Sequence, residues 1–141
     1  MNFDPNNPVI KLCAEGMALE GGGKRTEAAR LFEQAWHQAT TDFEKFTAAH
    51  YVARHQDSVA GKLKWDEAAL HLALKIPDDG IKATLPSLYL NIAKDHEDLD
   101  DFSKALEHYQ LALSFADRLP DDGYGNMIRS GIKSGIERVT E

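Results

Sequence analysis

The 141-residue chain has a single cysteine, only 5 prolines and 9% aromatic residues, and its 16 Lys and Arg fall short of its 23 Asp and Glu. One thiol, Cys13, excludes an internal disulfide and points to a cytoplasmic rather than a secreted protein. A net charge of −7 argues against a nucleic-acid binder that works by releasing counterions from phosphates. It argues equally against docking on anionic lipid, which needs clustered basic residues. No apolar run approaches the roughly 20 residues that span a bilayer. The start, Met-Asn-Phe-Asp-Pro-Asn-Asn-Pro, lacks the basic and then apolar pattern of a signal peptide. With 43% hydrophobic and 28% charged residues, the composition is that of one globular domain over residues 1–141.

What is present is helical periodicity, nearly throughout. Asn7-Pro8 makes an N-cap and N1 pair, followed by Val9, Leu12, Gly16 and Leu19 at spacings of three and four and then by a triple glycine. A second segment carries Ala28, Leu31, Phe32, Ala35 and Trp36. Thr40-Thr41-Asp42 caps a third through Phe46, Ala49 and Ala53, which Gly61 is expected to break. A fourth carries Ala68, Ala69, Leu72, Ala73 and Ile76. After the turn Pro77-Asp78-Asp79-Gly80 come a helix through Leu85, Leu88, Ile92 and Ala93, one from Phe102 to Ala116, a second Pro-Asp-Asp-Gly turn at Pro120, and a last amphipathic helix over 124–139. No window alternates with period two. The expectation is an all-α chain of about seven helices.

The even-numbered helices share a template with offsets of 0, 4, 7 and 8: Ala28-Phe32-Ala35-Trp36, Ala68-Leu72-Lys75-Ile76 and Ala105-Tyr109-Ala112-Leu113. On the odd-numbered helices Gly16, Ala53 and Ala93 recur at steps of 37 and 40 residues. Small residues at both sites let two helices cross closely, and the large residue one turn on fills the groove beside them. This pattern resembles the tetratricopeptide repeat family in its longer variety of about 40 residues. The resemblance implies antiparallel helix pairs in a right-handed superhelical array. Three repeats fall at about 8–40, 42–76 and 81–119, and a capping helix at about 124–139. It also implies a non-catalytic protein–protein interaction module that holds a peptide or protein segment in a groove lined by the odd-numbered helices. Carried over position by position, the groove receives Cys13, Ala14 and Met17; His50, Tyr51, Arg54 and Asp57; and Leu90, Asn91, Lys94 and Glu97. Lys133 is added by the 43-residue shift between the two Pro-Asp-Asp-Gly turns. Arg54 and Lys94 make a cationic row suited to an acidic segment or a C-terminal carboxylate. The paired Lys and Asn of chaperone-binding members is not reproduced, because Cys13 and Met17 occupy those positions.

Other signals weigh against chemistry. Gly21-Gly22-Gly23-Lys24-Arg25 lacks the earlier glycine and the Ser or Thr after lysine that a phosphate loop needs. No two of the 6 histidines stand four apart, so no metal site is expected and no cofactor is assigned. The acidic run Asp95–Asp101 lacks the central glycine of a calcium loop. Trp36 and Trp65 read as packing residues and His96 as a partly buried structural histidine. The alternatives to peptide binding are self-association, as a homodimer or through terminal helices, and a small-ligand sensor or enzyme using the His- and Tyr-bearing groove.

Overall fold

In the computed structural model, which describes residues 4–140, the chain is all-helical, and no strand occurs among the described residues. Among the described residues there are seven α-helices: α1 (Pro8–Gly21), α2 (Arg25–Gln38), α3 (Asp42–Ala53), α4 (Val59–Lys75), α5 (Leu85–Asp98), α6 (Phe102–Ser114) and α7 (Gly123–Val139). Short 3-10 segments cover Asp79–Thr84 and Ala116–Arg118. No helix among the described residues is long and apolar enough to cross a membrane. The chain divides into two compact units, one ending at Ile76 and the other beginning at Pro77.

In the first unit α1 folds back on α2, and α3 packs against α1, α2 and α4. Its core holds Val9, Cys13, Ala28, Phe32, Ala35, Ala48 and Val52, with Trp36 and Trp65 in an edge-to-face pair at 5.0 Å. Gly16 leaves no room for a side chain here, since a Cβ on it would run into the ring of the fully buried Phe32. In the second unit α5, α6 and α7 pack together. Gly135 of α7 stands against the ring of buried Tyr109 as Gly16 stands against Phe32.

The two units repeat one frame. Gly16 and Ala93, Ala28 and Ala105, and Phe32 and Tyr109 are each 77 residues apart. The turn between paired helices is built twice from the same bonds. Lys24 N donates to Leu19 O at 2.8 Å and Asp101 N to His96 O at 2.9 Å, around left-handed residues Gly23 (φ 80°) and Asp100 (φ 62°). The third helix of each unit corresponds with a shift of 84: Tyr51 stacks on Phe32 where Gly135 abuts Tyr109, and Ala48 and Val52 match the inward Ile132 and Ile136.

Three expectations of register are corrected. Gly61 does not interrupt a helix. It lies in the first turn of α4, where its N–H donates to the Ser58 cap at 3.0 Å, and the break falls at residues 54–58. The closely packed small residue of α4 is Ala69, fully buried, and not the half-buried Ala68, while Lys75 is exposed. Lys133 corresponds to Ala49 and is exposed on the outer side of α7, so the shift of 43 placed it one residue away from the groove position.

Candidate functional site

Polar clamps hold α1 and α3 side by side at both ends. At the first, Asn7 caps α1 by accepting from Val9 N (2.8 Å), and its Nδ2 donates to Glu44 Oε2 (2.8 Å). Glu44 also closes a capping box with Thr41, and these donors hold its carboxyl below the usual range, the Thr40 backbone N–H foremost. At the other end, Glu20 of α1 meets His55 Nε2 at 2.6 Å and Arg54 Nη2 at 3.2 Å. From Asn7 to Glu20 the span is about 20 Å at the helical rise per residue.

Between the clamps runs an open apolar cleft of about 270 Å³, lined by Ile10, Cys13, Ala14, Met17, Thr47 and Tyr51. Cys13 and Thr47 are buried in its floor, and Thr47 spends its hydroxyl on Phe43 O (2.9 Å). Met17 stands 46% exposed, with Tyr51 Oη donating to its sulfur at 2.9 Å. The Tyr51 ring is pinned from behind by Phe32 (4.9 Å, stacked) and lies under the Arg54 guanidinium at 5.6 Å. A second depression continues over the edge of α1 past Ile10 and Ala14 to Pro5.

Electrostatics disfavour covalent chemistry at this cleft. Burial pushes the Cys13 thiol up to about 11, so the nucleophilic thiolate is scarce. Burial also raises the Tyr51 phenol, with the thiol of Cys13 adding to the effect. His50, beside Tyr51 on α3, is held below the usual imidazole range by burial and then by the charge of Arg54, and its buried Nδ1 has no hydrogen-bond partner. No cluster of three or more His, Cys, Asp or Glu side chains suited to a metal occurs among the described residues.

Of the residues expected in the groove, the structure therefore brings together Cys13, Met17 and Tyr51, with Arg54 at one end and His50 alongside. Leu90, Asn91 and Lys94 lie in the second unit on α5. There Leu90 rests over Gly131, its Cδ2 3.2 Å from where a Cβ would sit, and Asn91 is half-buried. Lys94 is paired within its own helix to Asp98 at 2.6 Å. Glu97 is taken by Arg138, with Nε to Oε2 at 2.8 Å and Nη2 to Oε1 at 3.1 Å, while Tyr109 Oη donates to it at 2.6 Å. Sequence reasoning missed Ile10, Thr47, Glu20 and His55. Ile10, Ala14 and Met17 form a visible i, i+4, i+7 stripe beside the core stripe, and Glu20 and Glu97 each follow the small residue by four. No family model, curated protein or solved structure matches this chain.

Proposed function

We propose that the chain is a non-catalytic interaction module that holds a segment of another protein in the α1–α3 cleft, with apolar side chains on the cleft and a carboxylate toward Arg54. One observation carries this reading. Ile10, Met17 and Tyr51 form apolar walls at positions where the second unit, built on the same frame, has Ser87, Lys94 and Gly135. Packing of the frame does not require Ile10 and Met17, while Tyr51 packs its ring on Phe32 and turns its hydroxyl to Met17. An exposed apolar strip that the fold does not need is the signature of a surface kept for a partner. The resemblance of the helix pairs to tetratricopeptide repeats supports the same reading, since such repeats present odd-numbered helices to peptides. Rigid clamps at both ends limit the ordering entropy lost by the receptor on binding. A single buried thiol accords with a reducing, cytoplasmic setting.

The test replaces the walls by their counterparts, Ile10→Ser and Met17→Lys, both on the accessible side of α1. The probe is a set of short acetylated peptides pairing a leucine with a glutamate at varied spacing, measured by fluorescence polarisation. Loss of about tenfold or more in affinity with an unchanged helical circular dichroism spectrum is expected. Equal affinity of the wild type and the double variant would overturn the proposal.

A further inference from the structure

The two units carry the same acid–arginine clamp in different states of commitment. In the second unit Arg138 spends Nε and Nη2 on both oxygens of Glu97, and Nη2 also reaches Tyr109 Oη at 3.3 Å. In the first unit one carboxylate serves two basic groups. Glu20 gives Oε2 to His55 at 2.6 Å and Oε1 to Arg54 at 3.2 Å. The Glu20 and His55 side chains are 17% and 8% exposed, whereas Arg54 is 48% exposed. Val139 stands in the second unit where His55 stands in the first, so of the two clamps only the first contains an imidazole.

We propose that His55 makes the cleft pH-responsive: when its imidazole takes up a proton, Glu20 is neutralised by His55, and Arg54 is released to pair with a carboxylate on the bound segment. This rests on the binding reading given above. With His55 neutral, Glu20 and Arg54 cancel and an acidic ligand competes with Glu20 for the guanidinium. With His55 charged, the triad of Glu20, His55 and Arg54 is singly positive beside the Tyr51 end of the cleft. Glutamate side chains stay ionised down to about pH 5, so the ligand keeps its charge while the receptor gains one.

The other groups facing His55 do not undo this. The Phe32 ring packs on it at 5.4 Å without charge. Arg25 and Asp57 share a small polar depression with it and bring opposite charges. His50, on α3, is kept from taking up a proton by burial and then by the charge of Arg54.

Two measurements on the full chain test the proposal separately from the binding reading. The first needs no ligand: the Arg54 and Arg138 side-chain Nε resonances are followed from about pH 8 to about pH 5.5, the span over which imidazoles change charge. Arg54 is expected to shift in step with the His55 ring and Arg138 to stay flat, and in His55→Gln the Arg54 response disappears. An Arg54 signal indifferent to His55 overturns the coupling. The second uses the leucine–glutamate peptides and their glutamine analogues. Affinity for the glutamate peptides should rise about threefold to fivefold on acidification, the worth of a half-exposed ion pair. The rise should vanish in His55→Gln and for the glutamine analogues. Glu20→Gln, which frees Arg54 at every pH, should show the high affinity throughout. A rise of equal size in His55→Gln would mean that general loss of negative charge is responsible and would overturn the proposal. Failure of every peptide to bind at any pH would defeat the binding reading and leave the Arg54 titration to decide the coupling.

Discussion

Replacing glycine by alanine inside a helix ordinarily stabilises a protein by about 0.5–1 kcal/mol, because alanine has less backbone freedom to lose. At Gly16 and Gly135 the opposite sign is expected. A methyl on Gly16 would fall 2.8 Å from Phe32 Cζ and 2.9 Å from Cδ1, and closer still to Cε1. Carbon contacts are comfortable near 3.5–4.0 Å, so the ring must retreat by about 1 Å. It has nowhere to go, being fully buried and stacked on Tyr51 with His55 beside it. Overpacking of this kind costs about 1–3 kcal/mol, which outweighs the propensity gain and leaves a net loss of about 1–2 kcal/mol. Gly135→Ala should cost more, about 2–4 kcal/mol, since moving Tyr109 also pulls its hydroxyl from Glu97 at 2.6 Å. Gly131→Ala, four residues earlier on α7, meets only the half-buried Leu90 side chain at 3.2 Å, which can rotate. It should range from neutral to a gain of about 0.5 kcal/mol. Urea unfolding read by circular dichroism compares the two α7 variants. Tryptophan emission isolates the Gly16 effect, since both tryptophans, Trp36 and Trp65, lie in the first unit. Phe32→Leu should relieve part of the Gly16→Ala penalty, giving a non-additive double variant. If Gly16→Ala and Gly135→Ala are as stable as the wild type, the packing of the shared frame has been misjudged.

Glu97, held below the usual carboxylate range first by Arg138 and also by Tyr109, contributes stability that is present above about pH 4.3 and lost as the pH falls below it. Glu97→Gln should cost about 1 kcal/mol at neutral pH and flatten the acid limb of a stability–pH curve, and an unchanged limb would assign that limb to other groups. His50, neutral in the folded chain because burial and Arg54 oppose its charge, takes a proton more readily when unfolded. Stability of the first unit should therefore be full above about pH 6.5 and decline as the pH is lowered through it, a slope that His50→Leu removes in urea titrations read by tryptophan emission. The Cys13 thiol should ignore a disulfide reagent at pH 8 in the folded protein and react as the first unit unfolds, whereas prompt native reaction would show an accessible thiolate.

Elements governed by neighbours in sequence were legible; those governed by connection length or by distant partners were not. Asn7 and Thr41 cap helices as their types suggest, Pro86 sits in the first turn of α5, and the template Ala28-Phe32-Ala35 returns as the buried Ala105-Tyr109-Ala112. The misplacement of Lys133 has a local cause. The tetrapeptide Pro-Asp-Asp-Gly does two different jobs: Asp78 caps a 3-10 segment that precedes α5, whereas Asp122 caps α7 directly. A ruler laid from one turn to the other therefore carries an error of one residue, enough to move a side chain by 100° around a helix. Glycine disfavours helix interiors, which makes Gly61 look like a breaker, yet the Ser58 cap fixes the first turn of α4 around it. Cys13, Met17 and Tyr51 of the cleft were among the positions that the family resemblance implied, whereas its other lining residues Ile10 and Thr47 were not. The Glu20–His55–Arg54 triad did not, because it joins residues 34 and 35 positions apart whose pairing depends on how α3 lies on α1.

Two copies of one frame in a single chain separate what packing demands from what it leaves free. Both copies keep a small residue on the first helix, an alanine opposite it, an aromatic ring one turn later, an acid four residues after the small position, and an arginine to meet that acid. These positions are tied to burial or to paired charge, so neither copy can vary them cheaply. Between the first and third helices the copies part: Ile10, Cys13, Ala14, Met17, Thr47 and Tyr51 stand against Ser87, Leu90, Asn91, Lys94, Gly131 and Gly135. The third helices differ on their other side as well. Ala49 and Ala53 of α3 are buried, while their counterparts Lys133 and Glu137 of α7 face solvent, as do Lys11 and Glu15 on α1. Within that variable set the first unit's α1–α3 cleft is the apolar and open version, and it is there that the proposed partner segment would rest its side chains.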